Sequence, residues 1–152
     1  RRRKGAGEAG MSAQVGDVRI VMVEDDAGHA RLIERSMRRA GIGHAILHAP
    51  DGRTALDAIL GASEATARDP FVVLLDLNLP DMPGIDILRR LKADPRTRHR
   101  PVVVLSTTDD EGEIRRCYDL GANAYITKPI EHECFANAIR QIGLFVSVMQ
   151  VP

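Results

Sequence analysis

Apolar runs of strand length alternate along this chain with segments whose apolar positions recur at helical spacing. Val18–Val23 (VRIVMV) predicts a first strand and ends at Glu24–Asp25–Asp26. Ala30, Ile33, Met37 and Ala40 then fall three or four residues apart, the period of one buried helix face, and Gly41 supplies a stop. His44–Ala49 reads as a short second strand. Gly52–Leu60, with Ala55, Leu56 and Ile59 on one face, reads as a second helix, followed by the polar, small-residue connection Gly61–Pro70. Phe71–Leu75 is apolar at every position, the habit of a strand covered on both faces of a parallel sheet. A loop containing Pro and Gly, Asn78–Gly84, leads to Ile85, Leu88 and Leu91, which mark a third helix that breaks at Asp94–Pro95. Pro101 opens into a fourth strand, Val102–Leu105. A fourth helix is expected over Asp110–Leu120, closed by Gly121; Ala124–Thr127 is a short fifth strand, and a last helix begins near Glu131.

Five strand–helix units with short connections predict an α/β fold, a doubly wound parallel sheet with helices on both faces. The flavodoxin-like strand order 2-1-3-4-5 fits the count, and in such sheets ligands bind outside the carboxyl ends of the strands. Composition changes this picture little. The 152 residues, 44% hydrophobic and 28% charged, suit one globular domain, expected over residues 16–143. With no Trp and 3% aromatics, the core must rest on aliphatic residues, and binding of single-stranded nucleic acid on stacked aromatic platforms is disfavoured. The zero net charge hides a basic leader, Arg1–Arg2–Arg3–Lys4, ahead of a mildly acidic remainder that carries no nucleic-acid footprint. Residues 1–15 are expected as a disordered basic tail or as sequence upstream of a start at Met11, with a polyanion-binding arm as the sharper alternative. Cys117 and Cys134 form no C-x-x-C pair and read as reduced packing thiols. No apolar run approaches the ~20 residues that span a bilayer, so a cytoplasmic, non-membrane protein is expected.

The chemistry is concentrated at strand ends. In the order 2-1-3-4-5, Asp25 and Asp26 after the first strand face Asp76 after the third. A single Asp there would serve as an ordinary helix cap. Three carboxylates together repel one another, and their hard oxygen donors suit Mg²⁺, completed by water and phosphate oxygens. Lys128 follows the fifth strand and Ser106 the fourth, on the same edge. A carboxylate of pKa ~3.9 is already ionised at pH 7, so Asp76 needs no general base. Capture of a phosphoryl group then reduces to positioning and charge neutralisation. G-x-x-x-x-G-K does not occur, and G-x-G-x-x-G occurs at Gly5–Gly10 in the leader, where no strand precedes it, so no phosphate loop is expected.

Four segments, VEDD at Val23–Asp26, LDLNLPDMPG at Leu75–Gly84, VVVLST at Val102–Thr107 and GANAYITKP at Gly121–Pro129, together resemble the receiver domain of two-component response regulators. The resemblance implies Asp76 as phospho-acceptor, Asp25 and Asp26 as metal-binding acids, and the Asn78 backbone carbonyl as a further Mg²⁺ ligand. It also implies Ser106 as the switch hydroxyl, Lys128 as the active-site lysine, a cis bond before Pro129 and Tyr125 as the switch aromatic. Asn78 and Thr108 occupy positions that tune phospho-aspartate hydrolysis, and neither is acidic, so a moderate lifetime is expected. Finer features, DLNLP, the loop in KADPRTRHRPVVVLSTT and the YITKPIE run, are similar to small stand-alone regulators paired with phytochrome-type histidine kinases. Gly28–His29 departs from that subfamily pattern.

The expected partners are therefore a histidine kinase and a second copy of the chain. Residues 144–152 form an apolar extension in which Phe145, Val146, Val148 and Met149 exceed what one core stripe requires. They read either as a segment folded back on the domain or, favoured, as part of a homodimer interface with the fourth helix, fifth strand and fifth helix. Arg31, Arg35, Arg38 and Arg39 share one face of the first helix, a solvated face or a docking stripe for an acidic partner. The chain ends soon after the last helix, so a stand-alone receiver without a DNA-binding module is expected, signalling by protein contacts or phosphorelay and not acting as an enzyme. Two rivals stand beside it. One is a receiver-like interaction module that is never phosphorylated. The other is a haloacid-dehalogenase-type phosphatase, which wants an acid where Asn78 stands.

Overall fold

The structure, a computed structural model, describes residues 19–39, 41–61, 71–131, 133–138 and 140–141. Its elements alternate as β1 (Arg19–Val23), α1 (Ala27–Arg39), β2 (Ile46–Ala49), α2 (Gly52–Leu60), β3 (Phe71–Asp76), α3 (Gly84–Ala93), β4 (Val102–Ser106), α4 (Glu111–Asp119) and β5 (Ala124–Thr127). Residues 133–138 and 140–141 are helical and form α5. The five strands pair in parallel in the order β2-β1-β3-β4-β5, the order expected.

Strand alternation divides the core into two layers. Val21, Val23, Val73, Leu75, Val102 and Val104 pack with Ala55, Leu56 and Ile59 of α2, Ile87, Leu88 and Leu91 of α3, and Cys117 of α4. Ile20, Met22, Val72, Leu74, Val103 and Leu105 project the other way, onto Ala30, Ile33 and Met37 of α1 and Phe135 of α5. Both faces of β3 are thus covered, which is why Phe71–Leu75 shows no polar alternation. Phe135 is fully buried and anchors α5; a large apolar side chain so placed contributes about 2–3 kcal/mol.

Several boundaries differ from the expected ones. β2 begins at Ile46, since Ala45 already turns its carbonyl to the Ile20 amide at 2.9 Å. β3 and β4 each run one residue further, so Asp76 and Ser106 are themselves the last residues of their strands. The two cysteines part company: Cys117 is buried, whereas Cys134 is exposed and not a core thiol. Arg38 leaves the basic stripe, because its Nη1 donates to the carbonyls of Ile42 and His44 and closes the end of α1. Residues 1–18 and the extension with Phe145, Val146, Val148 and Met149 lie outside the described residues. Among the described residues no helix is long and apolar enough to cross a membrane.

The loop between β3 and α3 is fixed at both ends. Asp81 accepts from the Gly52 and Arg53 amides, both at 2.9 Å, tying the loop to the start of α2. At its far end the Gly84 amide donates to the Leu77 carbonyl at 2.8 Å. A Cβ on Gly84 would stand 2.5 Å from the Asp76 carbonyl oxygen and 2.6 Å from Leu77 Cα, contacts with backbone that no rotamer change relieves. Gly84→Ala is expected to destabilise the protein by about 1–3 kcal/mol, the range of overpacking strain. A lower urea midpoint with an unchanged slope would show it.

Candidate functional site

The site lies at the carboxyl edge of the sheet and is built by strand register. β1 and β3 pair Ile20 with Val72 and Val23 with Leu75, so one step further Glu24 stands level with Asp76. Both continue the alternation of the α1/α5 face, Ile20–Met22–Glu24 and Val72–Leu74–Asp76. In β5 Ala124 and Ile126 pack on that face, and Lys128 is next in the same alternation. Its ammonium reaches both acids: Nζ is 2.8 Å from Glu24 Oε1 and 3.3 Å from Asp76 Oδ2.

Carboxylate oxygens of Glu24, Asp25 and Asp76 can all lie within 4.8 Å of one another. Glu24 and Asp76 are buried and Asp25 is exposed, so the cluster has two interior members and one open to solvent. This corrects the expected acid pair. Asp25 is in the cluster, but its companion is Glu24, not Asp26. Asp26 instead caps α1: its Oδ1 accepts from the His29 amide at 3.0 Å and its carbonyl from Ala30 at 2.9 Å. That contact with the His29 amide, first among the causes, holds the Asp26 carboxyl below the usual range. The register argument contains the missed signal, since Glu24 and not Asp26 lies opposite Asp76.

Three carboxylates face one ammonium, leaving excess negative charge. Burial, aided by the Asp76 charge and opposed by Lys128, raises the Glu24 pKa above the ordinary carboxylate value. Burial would lower Lys128, yet its contact with Glu24 and the charges of Asp76 and Glu24 leave it raised. Hard oxygen donors with net negative charge, part buried and part open, fit a divalent cation such as Mg²⁺. Two further contacts steady the acids. The Asn78 amide donates to Asp76 Oδ1 at 3.0 Å. His48 Nε2 lies 2.7 Å from the Glu24 carbonyl and must carry the proton there, since a carbonyl only accepts.

Ser106 is buried at the end of β4, where its Oγ accepts from the Thr108 amide at 3.3 Å and lies 3.4 Å from Glu113 Oε2. The Tyr125 hydroxyl is 2.6 Å from the same Glu113 oxygen and 2.9 Å from the Thr108 carbonyl. Burial first, then Glu113, pushes the Tyr125 phenol well above its ordinary range. The Lys128–Pro129 bond is cis, as the resemblance implied. Beside Lys128, an apolar groove of about 390 Å³ is lined by His29, Leu32, Ile33, Thr107, Pro129 and Ile130.

This fold and this arrangement of acids, lysine and hydroxyl are those of a receiver. Residues 20–140 match the response regulator receiver domain, and the chain belongs to that family. A response regulator receiver domain from Rhodospirillum rubrum is 60% identical, with a TM-score of 0.74 over 88% of this chain and 96% of that one. Response regulator Rcp1 of Synechocystis is 35% identical over 111 residues, 72% of this chain and 75% of that protein. Its Mn²⁺-bound crystal structure is similar at a TM-score of 0.66, covering 88% of this chain and 96% of that one at 29% identity. The phosphorylated cyanobacterial phytochrome response regulator RcpA is 34% identical, with a TM-score of 0.67 over 88% of this chain and 91% of that one.

The raised Glu24 pKa has a measurable sign. A carboxyl whose folded pKa lies above its unfolded value of about 4.5 contributes stability below that value and loses it as pH rises through the folded one. In metal-free protein Glu24→Gln, which can still accept from Lys128, is therefore expected to melt higher than wild type at pH 7. The difference should shrink toward pH 4 in thermal melts across that interval.

Proposed function

We propose that this receiver accepts a phosphoryl group from a histidine kinase onto Asp76, with Mg²⁺ held by Glu24, Asp25, Asp76 and the Asn78 carbonyl. The observation that carries the reading is the convergence of Lys128 on Asp76 beside an acid cluster of metal-binding chemistry. Bound Mg²⁺ would supply positive charge for the phosphoryl oxygens. The chain's own residues do the rest. One Asp76 carboxylate oxygen forms the new bond to phosphorus while the leaving group departs with its electron pair. Lys128 is near enough to Asp76 to turn from the carboxylate to a phosphoryl oxygen, and the Ser106 hydroxyl can donate to another.

Phosphorylated RcpA and Mn²⁺-bound Rcp1 support the same reading, each for its own protein. The apolar groove beside Lys128, with Leu32 54% exposed at its rim, suits the side of a kinase helix presenting its phosphohistidine. The exposed Arg31 and Arg35 on α1 would complement acidic residues on such a helix. The relatives named for phytochromes make a light-sensing kinase the first partner to try. Dimerisation through α4, β5, α5 and the apolar extension belongs to the same proposal and rests on the surplus of apolar residues beyond Gly143.

Incubation with acetyl phosphate and Mg²⁺, followed by intact mass, is expected to show one added phosphate, absent in Asp76→Asn and absent with a chelator. Lys128→Ala should slow the uptake by about 10²-fold, the cost of removing one preorganised charge from a phosphoryl-transfer site. Continuous phosphate release from assorted monoesters would replace this reading with a phosphatase. No uptake from any donor, a cognate kinase included, would leave an interaction module.

A further inference from the structure

Glu113 has no role in the chemistry above, yet it touches both switch residues. It is the third residue of α4, after the cap Asp110, whose Oδ2 accepts from the Glu113 amide at 2.9 Å. An acid at this position ordinarily reaches back to the amide of the capping residue. Here that amide is taken, because Asp110 N donates to Thr108 Oγ1 at 3.1 Å. The Glu113 carboxylate turns inward instead, 2.6 Å from Tyr125 Oη and 3.4 Å from Ser106 Oγ.

The two contacts differ in strength. A distance of 2.6 Å is that of a charge-assisted O–H···O⁻ bond, and the phenol has a single proton to give. At 3.4 Å the Ser106 hydroxyl is held loosely, beyond the ~3.0 Å of a well-made O–H···O bond. Glu113 also borders an open groove of about 460 Å³ between the β3–α3 loop and α4, so its side chain has space to withdraw. The Ser106 hydroxyl likewise has one proton. It can go to Glu113 or to a phosphoryl oxygen on Asp76, not to both.

We infer that Glu113 is a positioning residue that competes with the phosphoryl group for the Ser106 hydroxyl, and that its grip on Tyr125 transmits the outcome to β5. This rests on phosphorylation at Asp76. While Glu113 shares the Ser106 proton, the unphosphorylated state is favoured. When the phosphoryl group takes that proton, Glu113 keeps only the phenol, and its bond to Tyr125 joins α4 to β5 beside the Tyr118 hydroxyl, which accepts from the Tyr125 amide at 3.1 Å.

The test is the ratio of phosphorylated to free protein at fixed acetyl phosphate and Mg²⁺, read by intact mass. Glu113→Gln, whose neutral amide oxygen is a weaker acceptor than the carboxylate, is expected to raise that ratio about threefold, a fraction of one charge-assisted hydrogen bond. Glu111→Gln, an equal loss of charge in the same helical turn but on an exposed side chain, should leave it unchanged. On a Ser106→Ala background, Glu113→Gln should have no effect. In the absence of any phosphate donor, the NMR signals of the Tyr125 ring should move in Glu113→Gln and stay in Glu111→Gln.

An unchanged ratio in Glu113→Gln overturns the proposal, and so does an equal gain in Glu111→Gln or on the Ser106→Ala background. Stationary Tyr125 signals overturn the contact itself, whether or not Asp76 is phosphorylated. Wild-type protein that takes up no phosphate, with Tyr125 signals still responding to Glu113→Gln, removes the phosphorylation reading and with it the competition, but not the contact. If Glu113→Gln does not fold, Glu113→Asp must give the same gain, because it keeps the charge and withdraws the carboxylate from both hydroxyls.

Discussion

The Lys128 ammonium stands between Glu24 and Asp76, 2.8 Å from one and 3.3 Å from the other, and on this the carboxyl edge of the sheet depends. The three residues come from the ends of β5, β1 and β3, separated by 104 and 52 positions along the chain. Burial of Glu24 beside the Asp76 charge disfavours its ionised form, as its raised pKa indicates. The shared Lys128 cation opposes that rise at Glu24 and contacts Asp76 as well, and so links the ends of three parallel strands that no short loop connects.

The sharing is unequal. Glu24 takes the shorter contact and, through its Oε2, an additional one from the Asp26 amide at 3.2 Å. Asp76 takes the longer contact to Lys128 and one amide, from Asn78. Each acid thus has the ammonium and one amide, and Asp76, the acid proposed to react, has the looser hold on the ammonium, the contact that can turn toward an incoming group. The β3–α3 loop supports this asymmetry. Asp81 and Gly84 fix its course, so the Asn78 amide is presented to Asp76 without help from the side chain of Asn78.

Most of this organisation can be read from the chain, because it follows from period and punctuation. The unbroken run Phe71–Leu75, the glycines after helices and the acids after strands locate the sheet and the edge that carries the site. What escaped was a register of one residue. Three consecutive acids, Glu24–Asp25–Asp26, differ little in composition, and their type does not reveal which continues the strand and which begins the helix. The alternation Ile20–Met22–Glu24 set against Val72–Leu74–Asp76 does distinguish them. The inward turn of Glu113 could not be read at all. A Glu three residues after an Asp cap has a local use, and only the competing hydroxyl of Thr108 removes it.

Parity also explains how an event at Asp76 can reach the opposite side of the sheet. Glu24, Asp76 and Lys128 continue the strand positions that face α1 and α5, the side on which the apolar groove lies. Ser106 continues the other alternation, that of Val102 and Val104, toward α2, α3 and α4, and the Tyr125 ring packs on that same layer. A phosphoryl group added to Asp76, as proposed, would arrive from the α1 side, and the Ser106 hydroxyl proposed to answer it has neighbours, Glu113 and through it Tyr125, on the α4 side. A strand end is where such a crossing is possible, because beyond the last backbone pair the two faces are no longer separated by the sheet. The same truncation that opens a binding edge thus gives its chemistry a route to the far face.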